Sequence, residues 1–173
     1  MMHIRELTNL LPQKARFNLR RIAFYGSNEV CVMCQNRIRS FGSHGGGAEI
    51  LERRKVVGGM LRRNDRCPVC HSRDRVRLMM LYLQLRTQLG EKPMRILHTA
   101  PDFGLYLWLQ KNAMVDYIGT DIDASRYRHI DNMYSADLTA LNFPDNSFDI
   151  VISSHVLEHI SDDSAAFSEI FRI

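Results

Sequence analysis

From Met94 onward the chain alternates short apolar runs with amphipathic stretches. Arg95–Ala100 predicts a short apolar strand, and Leu105–Asn112 a helix. Val115–Thr120 predicts a second strand that closes in Asp121-Ile122-Asp123. Tyr134–Ala136 predicts a brief third strand. Phe148–Ser153, with Ile150, Val151 and Ile152 in succession, predicts a fourth strand of the fully buried type, followed by a helix through Phe171. Strands alternating with helices imply a parallel sheet with right-handed crossovers, an α/β architecture of Rossmann-like type. Upstream the only clear helical period is Ser72–Leu85. There Ser72 is a candidate N-cap, and Val76, Met79, Met80, Leu83 and Leu85 form one apolar face, which the sequence suits for docking one part of the chain onto the next.

Charge divides the chain in the same place. Residues 1–90 hold 17 Lys/Arg against 6 Asp/Glu, whereas residues 91–173 hold 6 against 13, so a net charge of +4 conceals +11 beside −7. Leu89-Gly90-Glu91-Lys92-Pro93 punctuates the boundary. The expected organisation is an N-terminal helical or extended segment (1–24), a cysteine-bearing module with its docking helix (25–90), and an α/β domain (91–173). The basic half suits an anionic partner such as RNA, a phosphorylated sugar or a membrane surface, or else is a solvated face offsetting the acidic half. No apolar run is long enough to insert into a membrane, and the N-terminus lacks a secretory pattern, so the cytoplasm is the expected compartment.

All four cysteines lie in the basic half, as Cys31-Val-Met-Cys34 and Cys67-Pro-Val-Cys70. Two such knuckles bring four thiolates to the corners of a tetrahedron, which predicts a structural Zn²⁺ in a zinc-ribbon-like module. A redox pair is the rival, but that motif belongs at a strand–helix junction of a βαβ unit, and none is visible there. Between the knuckles, Phe41–Gly47 and the basic run Glu52–Asn64 predict a long loop or hairpin. The tetrapeptide at His44–Gly47 matches an esterase oxyanion motif, yet no G-x-S-x-G elbow accompanies it. His71, directly after Cys70, is expected outside the ligand set.

In the α/β half the polar residues fall at strand ends, where such sheets bind ligands. Asp121 closes the second strand about 20 residues past the first turn, placed to accept from two ribose hydroxyls. Asp137-Leu138 follows the third strand, and Ser154-His155 the fourth. The first turn, His98-Thr99-Ala100-Pro101-Asp102-Phe103-Gly104, has only one glycine. Dinucleotide folds need glycines there to approach a pyrophosphate, which disfavours NAD. A phosphate-free cofactor fits better: Ala100 adds only a methyl, Pro101 stiffens the turn, and Asp102 could face a cationic group.

The segments "YIGTDID", "ADLTALNFPDNSFDIVISSHVLEHI" and "AAFSEIFRI" resemble class I S-adenosylmethionine (SAM)-dependent methyltransferases of the type-11 kind. "ILHTAPDFG" is similar to that family's first motif, with His98 for its acid, Ala100 and Asp102 for two glycines, and Gly104 kept. "CPVCHSRDRVRL" with this turn resembles a bacterial subfamily carrying an N-terminal zinc-knuckle module. The resemblance implies a SAM site in which Asp121 holds the ribose and Ile122 lies against adenine. Asp137 would accept from the adenine amine and Leu138 offer its N–H, while Ser154 and His155 line the methyl-transfer end. His98 is either a contact to the methionine amine or a hydrogen-bonded strand-end residue. His98–Asp102 and Gly104 would together form the turn under the cofactor.

The implied activity is methyl transfer by in-line attack on the sulfonium carbon, with a base only if the acceptor must lose a proton; His155 is the candidate. The implied acceptor is a small molecule or glycan. RNA guided by the basic module is the alternative, and a non-catalytic nucleic-acid-binding or scaffold protein is a third reading. His155–His159 also spells the metallopeptidase pattern H-x-x-E-H, whose i,i+4 histidines must share a helix face. The chain stops where relatives continue into further strands. The resemblance therefore implies a truncated fold, whose fourth strand would be an open edge available for self-association.

Overall fold

The structure is a computed structural model that describes residues 11–45, 48–56 and 61–173, except the side chain at position 52. The chain forms two compact units, Met1–Met80 and Leu81–Ile173.

In the first unit, helix α1 (Gln13–Ala23) precedes two small antiparallel ladders. Strands β1 (Glu29–Val30) and β2 (Arg37–Ile38) flank the first cysteine knuckle. Strands β3 (Gly42–His44) and β4 (Arg62–Arg66) pair around the short helix α2 (Glu49–Arg53), and β4 delivers the second knuckle. The expected hairpin between the knuckles is thus this second ladder; part of its connecting run, and Gly46 and Gly47, lie outside the described residues. Ladders this short bury little apolar surface, and the side chains they do bury, Met33, Ile38 and Val69, sit with Cys31, Cys67 and Cys70. Gly26 is required where α1 turns into β1. A Cβ there would sit 2.7 Å from both the Cα and the backbone N of Arg39, whose side chain donates to Tyr25 O and Ala23 O at the end of α1.

Helix α3 (Asp74–Arg86) begins two residues later than the sequence suggested. Ser72 is fully buried, and its hydroxyl lies beside the cysteines. The helix start is held by Asp65 instead, whose Oδ1 accepts the Asp74 N–H at 2.9 Å. Arg77 donates to the carbonyls of both Asp65 and Ser72, tying the second knuckle to the strand before it and the helix after it.

The second unit is a four-stranded parallel sheet in the order β7-β6-β5-β8: β5 (Met94–Thr99), β6 (Val115–Asp121), β7 (Met133–Ser135) and β8 (Ile150–Ser153). Counted within the sheet the order is 3-2-1-4, so the strand order reverses between β5 and β8, the switch point at which α/β sheets bind ligands. β8 is an edge of this sheet. On one face Leu97, Ile118, Leu138, Leu141, Ala166 and Ile173 pack together; on the other lie Ile96, Tyr117, Leu105, Tyr106 and Leu109. Helix α4 (Phe103–Leu109) is capped by Asp102, which accepts from the N–H groups of Gly104 and Leu105.

No helix follows β8 directly. Ser154–Val156 turn through a left-handed His155, a 3₁₀ turn covers Leu157–His159, and helix α5 (Asp163–Arg172) starts at the Asp162 cap. Two aspartates at 162 and 163 favour a new N-terminus there. Arg172 at its other end donates to the carbonyls of Leu141 and Phe143 and pairs with Asp145 and Glu169, fixing the loop before β8.

Candidate functional sites

The four cysteines converge. Their Sγ atoms lie within 4.8 Å of one another, with Cys31–Cys70 at 3.8 Å and Cys34–Cys67 at 3.9 Å. Tetrahedral zinc with bonds of about 2.3 Å places its sulfurs about 3.8 Å apart, whereas a disulfide needs about 2.05 Å. All four are free thiols, and Cys31, Cys67 and Cys70 are buried. Contacts from Cys34, Cys67 and Cys70 lower the Cys31 pKa, while Cys70 is pushed up by the same crowding. Four thiols this close, three of them buried, cannot all ionise without a cation, and a zinc-type ion is the chemistry that this donor set fits.

The surroundings supply the outer shell. The Ser72 hydroxyl is 3.2 Å from Cys70 Sγ and 3.6 Å from Cys31 Sγ. His71 stays outside the sulfur cluster: Arg20 reaches its Nε2 at 2.8 Å and Arg66 its Nδ1 at 2.7 Å. Burial, then the charges of Arg20, Arg66 and Arg16, lower His71 to about 4, so its ring is neutral at physiological pH. These arginines carry the positive charge that a tetrathiolate centre would balance.

The second site is a cavity of about 540 Å³ at the carboxyl ends of the parallel strands. Each strand end contributes: Thr99 and Ala100 from β5, Thr120–Ile122 from β6, Ala136–Leu138 after β7, and Ser154–Val156 after β8. Of the residues expected at a cofactor, Thr99, Ala100, Asp121, Ile122, Asp137, Leu138, Ser154 and His155 line this cavity. His98, Pro101, Asp102 and Gly104 do not. Successive strand residues point to opposite faces, so with Thr99 at the cavity, His98 turns into the core. It is 2% exposed, with Nδ1 3.2 Å from the Tyr117 hydroxyl, and burial lowers its pKa to about 3.

Backbone strain marks the rim. Ala100 adopts φ +44° and His155 φ +58°, conformations that ordinarily favour glycine. Asp121 Oδ1 accepts the Asp123 N–H, and Asp137 Oδ1 accepts both the N–H and the hydroxyl of Thr139, which depresses the Asp137 pKa. Beneath them the hydroxyls of Thr99, Thr120 and Ser153 are buried without a hydrogen-bond partner among the described residues. Thr99 is the register partner of both Thr120 and Ser153, so the three form a row across the switch point.

The sequence reading missed Arg126, Tyr127, His159 and Ile160, which also line the cavity. The Tyr127 hydroxyl is pushed up by burial and by the Asp121 carboxylate beside it. The signal was present, because a short "ASRY" turn after a strand-end acid must fold back over that acid. His155 Nδ1 is 3.0 Å from Glu158 Oε1. His155 lies outside the 3₁₀ turn that holds His159, so the two histidines do not share the helix face that the metallopeptidase pattern needs. Among the described residues, the only cluster able to hold a metal is the four cysteines.

Residues 104–173 match the family profile of a methyltransferase domain. No curated protein matches the chain. Among solved structures, a proposed S-adenosyl-L-methionine-dependent methyltransferase from Methanococcus maripaludis is similar at 16% identity and a TM-score of 0.44. The match covers 57% of this chain and 49% of that one, so the chain spans about half its length. No described helix is long and apolar enough to cross a membrane.

Proposed function

We propose that this chain is a SAM-dependent methyltransferase acting on a small-molecule or sugar-type acceptor, with a structural zinc in its N-terminal unit. One observation carries the reading: the cavity at the switch point sets Asp121 and Asp137 on successive strand ends above a row of unpaired, buried hydroxyls. The methyltransferase-domain match over residues 104–173 falls on the segment that supplies most of that lining.

The residues present fit SAM. Asp121 is placed for the ribose hydroxyls, Ile122 and Leu138 for the adenine faces, and Asp137 for its exocyclic amine. Ala100 leaves the first turn open with only a methyl group. Bound there, SAM would supply an electrophilic methyl group. The protein would position the acceptor at the Ser154–His155 end and exclude water. His155, oriented by Glu158, is the group able to take a proton from an acceptor hydroxyl or amine. The acceptor class follows from the motif resemblance.

Calorimetric titration with SAM and S-adenosylhomocysteine tests the cofactor reading. One-to-one binding that Asp121→Ala weakens at least tenfold supports it. No binding by folded, zinc-loaded chain would remove it.

A further inference from the structure

The first unit carries a second cavity, of about 720 Å³, that the methyltransferase reading does not use. One wall is α1, with Asn18, Arg21 and Ile22, continued by Tyr25 just past the helix end. The other is the end of the first knuckle and the start of β2, with Gln35, Asn36 and Arg37. Among the described residues, no carboxylate lines it. Tyr25 is 63% exposed, so its ring is open to a ligand in the groove.

The polar groups are already aimed. Asn36 Oδ1 accepts Arg21 Nε at 2.9 Å, and Asn36 Nδ2 donates to Cys34 O, which fixes the amide and the guanidinium on the groove wall. Arg21 has terminal nitrogens to spare, and the Arg37 guanidinium pairs with no carboxylate among the described residues. Residues 1–80 hold 16 Lys/Arg against 6 Asp/Glu, so the surrounding field attracts anions. A solvated basic face would need neither the open aromatic ring nor the amides.

We propose that this groove binds single-stranded RNA. Tyr25 stacks on an unpaired base, the Asn18 amide and the Gln35 carbonyl, whose Nε2 already donates to Val32 O, face its polar edge, and Arg21 and Arg37 meet the flanking phosphates. The proposal rests on the first unit alone and holds whatever the strand-end cavity methylates.

Fluorescence anisotropy of the zinc-loaded chain with a labelled U15 RNA tests it. Saturable binding is expected, with a 15-base-pair RNA duplex held at least tenfold more weakly. Tyr25→Ala should weaken U15 about tenfold, since a base–aromatic stack contributes about 1–3 kcal/mol, while Tyr25→Phe retains binding. Arg37→Gln should lower the salt slope by about 0.7. Both positions are exposed, and unchanged zinc content and melting would show that the variants fold. The proposal is overturned if U15 does not bind at low salt, if duplex binds as tightly, or if neither Tyr25→Ala nor Arg37→Gln changes the titration. SAM titration of the same samples reads the cofactor site separately.

Discussion

Thr99 and Thr120 are register partners on the two central strands, and both hydroxyls are buried at the floor of the strand-end cavity without a hydrogen-bond partner among the described residues. A buried unpaired hydroxyl costs about 1–3 kcal/mol. Replacing either with the isosteric valine removes that cost. Thr99→Val and Thr120→Val should leave the free protein's melting unchanged or raised, by up to about 2 kcal/mol of stability, and weaken SAM binding several-fold. Paired thermal melts and calorimetry read both quantities. A loss of more than about 1 kcal/mol in the free protein would show that the hydroxyls are already satisfied.

Ala100 holds φ +44° while its N–H donates to Thr120 O at 2.8 Å. A left-handed alanine is strained by about 1–2 kcal/mol, and glycine's extra freedom in the unfolded chain offsets about half of the relief. Ala100→Gly should therefore be neutral to about 1 kcal/mol stabilising in urea denaturation. Ala100→Val should be clearly destabilising, because a β-branched residue tolerates that region least. The reverse order would mean the turn is not left-handed.

The four strands were legible within one or two residues at each end, because each is a short apolar run closed by a polar residue. The strand-end acids were legible for the same reason. What the pattern could not give was which side of a strand faces the cavity: His98 and Thr99 are neighbours in sequence and opposites in space. Nor could it show that the chain after β8 needs a turn before helix α5, a break set by the left-handed His155 and the Asp162 cap. Ser72 misled because serine ahead of an apolar period usually caps a helix. Here the thiol cluster takes its hydroxyl and Asp65 accepts the helix's N–H.

His98 gives the fold a pH dependence of defined sign. Unfolded, its ring titrates near 6.5; in the core, burial lowers it to about 3. Below pH 6.5 the unfolded chain binds a proton that the folded chain refuses, so stability falls as pH drops toward 3. Between pH 7 and pH 5 the loss from this residue is about 2 kcal/mol. Denaturant titrations at the two pH values should show that loss in the native chain and lack it in His98→Gln. Equal pH dependence in both would place the His98 ring in contact with water.

The cysteine cluster predicts how the protein responds to metal removal. The first unit's ladders are two to five residues long, too small a surface to hold a fold by burial alone. The unit's sulfurs, 3.8 Å and 3.9 Å apart in two pairs, are spaced for a zinc-type ion that would close it. Metal analysis should find one zinc per chain, and a strong chelator should release it with loss of the first unit's structure, followed by amide hydrogen exchange across residues 29–72. Cys70→Ser should do the same without chelator. Exchange protection of β5 and β6 should persist, because their core contains no metal-dependent residue. Retention of the first unit's protection after zinc release would show that the thiols pack as ordinary buried side chains and that the metal is not structural.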